Sequence, residues 1–173
     1  MHRMSHPERD FPESEAREIL KNSEYVFFST VCPDGQPYCV PVSIVVDGNT
    51  AYIHGAHYGQ KIVNIENDSR VCLSCVSQCR RVPEAFTLSY ASVVAVGQAS
   101  VVADLAERHR ALELLCRKYA PDREADIPAA IQNGAIRTGV IRILLTEIHG
   151  KRKPNPRFFP GSPGGFFPLL LLY

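Results

Sequence analysis

The sequence predicts a mainly β domain with helices, of the α+β class, in which antiparallel strands form a barrel with helical insertions. Segments rich in β-branched and aromatic residues alternate with short turn sequences, which is typical of consecutive antiparallel strands. Helical periodicity occurs before the first strand and between groups of strands. The predicted order of helix, three strands, helix, two strands, helix and strand is too antiparallel for a doubly wound parallel sheet.

The first half of the chain predicts a helix, three strands and a second helix. Pro33-Asp34-Gly35 and Asp47-Gly48-Asn49 are turn sequences, so we expect the three strands to form a meander that begins with a hairpin. Behind the second turn, the apolar spacing changes from two residues to three and four. The predicted elements are a helix over 14–22, strands over 25–31, 37–46 and 50–54, and a helix over 58–67.

The second half predicts two strands, a long amphipathic helix and a final strand. Gly97 interrupts a β-branched run and indicates a bulge or a barrel corner. Pro121 ends the clearest helix of the chain. The predicted elements are a strand over 70–77, a polar loop over 78–85, a strand over 87–102, a helix over 105–119, a helical turn over 127–133 and a strand over 138–149.

Length and charge restrict the class of protein. The 173 residues fit one domain, over 11–153, followed by a Pro/Gly/Phe-rich tail over 154–173 that has no regular periodicity. The net charge is +1 and no apolar run reaches the length of a membrane helix, so we expect no nucleic-acid partner, no membrane partner and a cytoplasmic location. The basic run Lys151-Arg152-Lys153 is interpreted as a solvated strand end.

Six cysteines outside a secretory context indicate free thiols rather than a disulfide framework. Cys72, Cys75 and Cys79 have a spacing that would suit zinc or an iron–sulfur cluster in a loop. On a strand, residues three apart face opposite sides, which favours packing over a metal site. The other three, interpreted as core residues, are Cys32, Cys39 and Cys116.

The segment 53–61 is the most informative part of the sequence. It passes from a strand through Gly55 and Ala56 to the start of a helix that carries Lys61. Small residues allow a ligand to approach the backbone, and the free amides of a helix N-terminus favour a phosphate. The alternative is an ordinary strand-to-helix corner. His54 and His57 also lie here and leave a metal or haem as a further alternative.

Several short blocks, taken in order, resemble one protein family. The resemblance spans about residues 11–153 and is to the pyridoxamine 5′-phosphate oxidase-like split barrels, in the branch that includes the nitroimidazole-resistance (Nim-type) proteins. No tryptophan is present and the tail differs from that of true pyridoxamine phosphate oxidases, which argues against pyridoxamine phosphate as substrate. The blocks are Asp34-Gly35-Gln36-Pro37-Tyr38, Val40-Pro41-Val42-Ser43, His54-Gly55-Ala56 with Gly59 and Lys61, Arg70-Val71-Cys72, Tyr90-Ala91-Ser92-Val93-Val94 with Gly97, and Ala111-Leu112 through Lys118-Tyr119-Ala120-Pro121.

The resemblance implies a homodimer that binds FMN in two clefts between the subunits. The strand Val40-Pro41-Val42-Ser43 would face the isoalloxazine. His54, Gly55, Ala56 and Lys61 would surround the ribityl phosphate, and Tyr90 and Ser92 would complete the cleft, either from the same chain or from the partner subunit. The implied activity is transfer of electrons from a reduced nicotinamide to a small nitroimidazole-like or nitroaromatic acceptor, with His54 as the residue nearest cofactor and substrate.

A rival hypothesis is a non-enzymatic sensor on the same barrel that holds flavin or haem. The sequence contains no recognisable output domain, which weighs against a sensor. No serine-histidine-acid order and no phosphate-loop signature is present, so any chemistry would belong to the cofactor.

Overall fold

The computed structural model describes residues 6–134 and 137–154. The tail predicted from the sequence therefore lies, except for Pro154, outside the described residues. Eight strands and four helices occur in the described part of the chain. In chain order they are β1 (Asp10–Phe11), α1 (Glu13–Asn22), β2 (Tyr25–Val31), β3 (Pro37–Ser43), β4 (Val45–Asp47), β5 (Thr50–Gly55), α2 (Gln60–Asn67), β6 (Arg70–Val82), β7 (Thr87–Val101), α3 (Leu105–Tyr119), α4 (Ile127–Gly134) and β8 (Gly139–Lys153).

The strands form one antiparallel sheet in the order β3-β2-β6-β7-β8-β5-β4, with β1 added beside β8. The three longest strands, β6, β7 and β8, pair along most of their length and form its centre. β3 and β4 lie at opposite ends of this order although they are adjacent in the chain. The sheet therefore curls round to bring its two ends together, which is the antiparallel split barrel that the sequence predicted.

The predicted meander is wrong in its third strand. β2 and β3 form the predicted hairpin, but β5 pairs with β4 and β8 rather than with β3. The predicted single strand over 37–46 breaks at Ile44, which is fully buried. This break turns the chain from one edge of the sheet to the other, and no turn sequence in this segment indicated the change of partner.

Several other boundaries differ from the prediction, and the final strand predicted over 138–149 continues to Lys153. The loop predicted over 78–85 is shorter, because β6 continues to Val82 after a register shift between Ser77 and Arg80. Gln78 lies in this irregularity with a positive φ of 53°. The helix predicted from residue 58 begins at Gln60, since Gly59 has a φ of 117° and precedes the first helical residue.

The predicted irregularity at Gly97 is confirmed. The register between β7 and β8 shifts there, because Val96 pairs with Glu147 and Gly97 with Leu145, so that Thr146 is the extra residue. A Cβ on Gly97 would lie 2.3 Å from the carbonyl oxygen of Leu144. Only glycine allows the two strands to approach this closely.

Two clusters of buried side chains hold the domain together. The larger fills the barrel and includes Phe28, Ile53 and Leu73, all fully buried. The second lies between the outer surface of β5 and β8 and the helices α3 and α4, and it includes Tyr52, Leu112 and Val140. Because Ile53 belongs to the first cluster and Tyr52 to the second, β5 separates two apolar layers. Among the described helices, none has the length and hydropathy to cross a bilayer.

Candidate functional site

The split of the barrel lies between the two ends of the sheet, with β3 on one side and β4 and its partner β5 on the other. One edge of β3 pairs with β2, and its other edge has no strand partner among the described residues. An unpaired edge presents backbone N–H and C=O groups that any neighbouring polar molecule can bond. The free edge of β3 thus supplies directional hydrogen-bonding groups.

Ser43 and His54 face the same cavity across this split. β4 and β5 pair with Val45 opposite Tyr52 and Asp47 opposite Thr50, and the same register continued by two residues sets Ser43 opposite His54. Both side chains line a cavity of about 440 Å³ beneath α3 and α4. The structure therefore brings together two residues that the sequence placed in one site.

His54 lies at the mouth of this cavity, on the same face of β5 as Tyr52. Its partner across the ladder is Val140 of β8, whose side chain is buried in the second apolar cluster. Although one side of the ring is open to solvent, desolvation on the other side lowers the pKa of His54 below its ordinary value of 6.5. The neutral imidazole, which has one donor and one acceptor nitrogen, is therefore favoured at this position.

The corner between β5 and α2 brings Gly55 and Lys61 together. A Cβ built on Gly55 would lie 4.0 Å from Cε of Lys61, so the lysine stem passes over the glycine. Ala56 and Gly59 between them are exposed. Lys61 makes no ion pair with any of the described residues, and its ammonium is available to a ligand.

The N-terminus of α2 adds backbone donors to this corner. The amides of Ile62 and Val63 bond the carbonyl of Gly59, whereas those of Gln60 and Lys61 precede the first helical hydrogen bond. These two amides and the Lys61 ammonium lie on one turn. The arrangement meets the chemical requirements of a phosphate group.

Buried polar contacts fix the position of α2. Asn64, fully buried, donates a 2.8 Å hydrogen bond from Nδ2 to the hydroxyl of Thr30 on β2. Its Oδ1 accepts a 2.7 Å hydrogen bond from Gln60. Sequence reasoning missed Asn64; the available signal was an amide in the middle of an amphipathic helix, three residues after Lys61.

Lys118 and Tyr119 fix the chain break at Ile44. The Lys118 ammonium donates to three backbone carbonyls, those of Lys21, Ser23 and Ile44, at 2.7–2.8 Å. The Tyr119 hydroxyl accepts a 2.8 Å hydrogen bond from the N–H of Ile44. Burial lowers the pKa of Lys118 and raises the pKa of Tyr119. The sequence showed both only as part of a family block, without this role.

The side chains of the predicted strand 40–43 divide between two faces. Val42 packs against the barrel core, and Val40 shares its face, whereas Pro41 and Ser43 lie on the outer face. A ligand in the split would therefore meet the backbone of this strand rather than the valine side chains.

Tyr90 and Ser92 lie apart from the other predicted site residues. Ser43 pairs with Tyr25, and the same row continues through Val76 to Ser92. Three strand spacings, about 14 Å, separate Ser43 from Ser92 along the sheet. The exposed side chains of Tyr25 and Val76 stand between them. Within one copy of the chain, the structure does not join Tyr90 and Ser92 to the His54 corner.

The cysteines agree in part with the sequence interpretation. Cys75 is buried, whereas Cys72, on the opposite face of β6, is half-buried, so the two side chains diverge as predicted. The interpretation of Cys39 as a core residue is wrong, because Cys39 is exposed on the edge strand. Cys32 and Cys116 are only half-buried.

The basic run at the end of β8 is partly engaged within the domain. Arg152 pairs with Glu15 and lies 4.7 Å from the centre of the Phe11 ring. Lys153 donates to Thr87. These contacts, with half-exposed side chains, are consistent with the predicted solvated strand end.

Comparison with known proteins identifies the class. The sequence matches the model of the pyridoxamine 5′-phosphate oxidase family over residues 12–152. Because this match covers most of the chain, the protein belongs to that family. No curated protein matches the sequence significantly.

Solved structures with the same fold include proteins of several kinds. A candidate 5-nitroimidazole antibiotic resistance protein from Bacteroides thetaiotaomicron superposes with a TM-score of 0.66 at 19% identity, covering 87% of this chain and 95% of that one. Flavocytochrome Anf3 from Azotobacter vinelandii superposes with a TM-score of 0.76 at 18% identity, covering 90% of this chain and 74% of that one. An FAD- and haem-binding protein from Mycobacterium smegmatis superposes with a TM-score of 0.71 at 18% identity, covering 84% of this chain and 73% of that one. These likenesses establish the shared fold.

Proposed function

We propose that this protein binds FMN in the split of the barrel and acts as an FMN-dependent oxidoreductase of the Nim-type branch. Electrons would pass from a reduced nicotinamide to a small nitroimidazole-like or nitroaromatic acceptor. The observation that carries the proposal is the free edge of β3 lying opposite a corner suited to phosphate.

The two ends of the split suit the two ends of the cofactor. The unpaired backbone groups of the strand 40–43 match the polar edge of an isoalloxazine ring, which has both donors and acceptors. Lys61 and the first amides of α2 match a dianionic phosphate. Gly55 and Ala56 leave room for the ribityl chain because neither carries a long side chain.

Bound FMN would supply the redox chemistry, and the protein would supply position and environment. His54 lies between the phosphate corner and the cavity under α3 and α4. Its neutral imidazole can donate or accept one hydrogen bond at the boundary between cofactor and acceptor. The Lys118 and Tyr119 contacts to Ile44 hold Ser43 and His54 opposite each other.

A second copy of the chain would complete the site. The outer face of the sheet carries apolar side chains on four adjacent strands, each 41–58% exposed: Tyr25, Phe27, Val31, Val76, Val94 and Leu144. Tyr25 and Val76 occupy neighbouring positions on this face, and exposed apolar side chains grouped in this way suit an interface between subunits. Tyr90 and Ser92 lie on this same face, so a homodimer formed through it would carry them towards the split of the partner.

The absorbance spectrum of the purified protein tests the cofactor. We expect the visible bands of an oxidised flavin, and released FMN after denaturation. A Soret band would indicate haem instead. A protein that stays colourless after incubation with FMN and FAD would contradict the proposal. Steady-state oxidation of a reduced nicotinamide with nitroaromatic acceptors then separates an enzyme from a sensor, which would bind flavin without turnover.

A further inference from the structure

We propose that the cavity under α3 and α4 binds the uncharged aromatic body of the electron acceptor, with His54 as its main polar contact. The inference rests on the proposed function for the role of the bound molecule. The pocket itself is a property of the residues that line it.

The size of the cavity suits a small molecule. Its volume is about 440 Å³, within the roughly 300–1,000 Å³ range typical of small-molecule sites. Leu112 and Leu115 of α3 and Ile131 of α4 form its wall and are buried in the second apolar cluster. An aromatic ring placed here would pack against these side chains and lose contact with water on that side.

The absence of charged side chains from the cavity favours an uncharged ligand. None of the described residues that line it is an aspartate, glutamate, lysine or arginine. A charged ligand would therefore lose part of its hydration without a counter-ion, which is unfavourable in an apolar site. The cavity accordingly excludes the phosphate of FMN, which has Lys61 at the other end of the split.

Two of the other polar side chains that line the cavity are engaged within the protein. The Thr138 hydroxyl donates to the carbonyl of Gly134 at 2.9 Å, and the Tyr119 hydroxyl is engaged by Ile44. The Ser43 hydroxyl lies close enough to that of Tyr119 to lower the pKa of Tyr119 against the effect of burial. No hydrogen bond joins the His54 ring to another of the described residues. A ligand with one oxygen acceptor would therefore be oriented with that oxygen towards His54 and its ring between the helices.

Two nitroaromatic probes of equal size test the selection by charge. Isothermal titration calorimetry of the FMN-loaded protein would compare 4-nitroacetophenone, which is uncharged, with 4-nitrobenzoate, which is an anion. We expect the uncharged probe to bind at least about tenfold more tightly, since the anion loses its hydration without compensation. Equal affinities, or tighter binding of the anion, would overturn the inference.

Substitution of two neighbouring alanines on α4 tests the position of the binding site. Ala130 lines the cavity, whereas its neighbour Ala129 is exposed outside it. We expect Ala130→Trp to weaken 4-nitroacetophenone binding at least about fivefold and Ala129→Trp to leave it unchanged, with FMN affinity within about twofold in both variants. Loss of FMN binding in Ala130→Trp alone would show that the flavin occupies the cavity and would overturn the inference.

The same titrations separate this inference from the proposed function. If the protein binds no flavin, they can be performed on the purified protein as it is obtained. Selective binding of 4-nitroacetophenone, blocked by Ala130→Trp, would then support the pocket while the flavin proposal fails. Flavin binding without probe binding would support the proposed function and reject the pocket.

Discussion

The side-chain amide of Asn64 donates a 2.8 Å hydrogen bond to the hydroxyl of Thr30, and both residues are buried. This contact attaches α2, with the phosphate corner at its N-terminus, to the second strand of the sheet. We expect Asn64→Leu to lower the free energy of unfolding by about 1–3 kcal/mol, because it leaves the buried Thr30 hydroxyl without its donor. Urea denaturation measures this change.

Two further variants test the role of that hydrogen bond. Asn67→Leu, at an exposed position on the same helix, should change the free energy of unfolding by less than about 0.5 kcal/mol. The double variant Thr30→Val/Asn64→Leu should recover part of the loss, since it removes the unsatisfied hydroxyl as well. Equal losses in the single and double variants would indicate that steric fit, not hydrogen bonding, dominates.

Lys61 should distinguish phosphorylated from unphosphorylated flavin. We expect Lys61→Met to weaken FMN binding about tenfold and riboflavin binding less than about twofold, because only FMN carries the charge that the ammonium meets. Fluorescence quenching of the flavin measures both affinities. Lys21→Met, at an exposed lysine of α1, is the matched control. An equal effect on the affinities for the two flavins would show that Lys61 does not bind the phosphate.

Gly97 should tolerate no side chain. A Cβ there would lie 2.3 Å from the carbonyl oxygen of Leu144, so we expect Gly97→Ala to lower the free energy of unfolding by about 2–4 kcal/mol. Gly55→Ala is the control, because its nearest neighbour would be Cε of Lys61 at 4.0 Å, an ordinary contact. Thermal denaturation compares the two variants. Equal stability would show that the β7–β8 bulge can shift at little cost.

The lowered pKa of His54 predicts a dependence of stability on pH. Desolvation favours the neutral ring in the folded chain, whereas the unfolded chain binds a proton near the ordinary pKa of 6.5. Between the folded and unfolded pKa values the unfolded state therefore binds more protons, and stability falls as the pH falls below about 6.5. His54→Phe should flatten the stability profile in this range.

The matched control for that profile is His109→Phe, at an exposed position on α3. Denaturation curves between about pH 5 and pH 8, a range that brackets the usual histidine pKa of about 6.5, supply the comparison. If His109→Phe flattens the stability profile as much as His54→Phe does, the pH dependence does not come from His54.

The apolar side chains on the outer face of the sheet should be required for formation of the proposed homodimer. Phe27 is 43% exposed on this face, and its ring contacts that of Tyr25 edge to face at 6.0 Å. We expect Phe27→Glu to convert a homodimer to a monomer, since two carboxylates would be buried in the interface. Analytical ultracentrifugation measures the mass. Phe86→Glu, at a side chain 97% exposed beyond the end of β6, should leave the assembly unchanged.

Much of the fold could be predicted from local pattern. The boundaries of β2 and α3 agree with the sequence prediction, because each has a uniform period and a turn or proline at its end. The bulge at Gly97 was also predictable, since a glycine inside a β-branched run is typical of a bulge or of closely approaching strands. These features depend on residues close together in the chain.

The pairing of strands could not be predicted from the local sequence pattern. β3, Ile44 and β4 show no turn sequence between them, yet the chain changes sheet edge at Ile44. That break depends on hydrogen bonds from Lys118 and Tyr119, which lie 74 and 75 residues away in the chain. A pattern confined to neighbouring residues cannot contain this information.

The candidate site divides in the same way. Sequence alone was enough to recognise the family and the local chemistry of the corner, because the order of small residues, histidine and lysine over 54–61 is a property of one segment. Three relationships required the folded chain: Ser43 meets His54 over an apolar cavity, Asn64 anchors α2, and Tyr90 and Ser92 lie elsewhere on the sheet. Curvature and strand order set these relationships, and both arise from packing between distant segments.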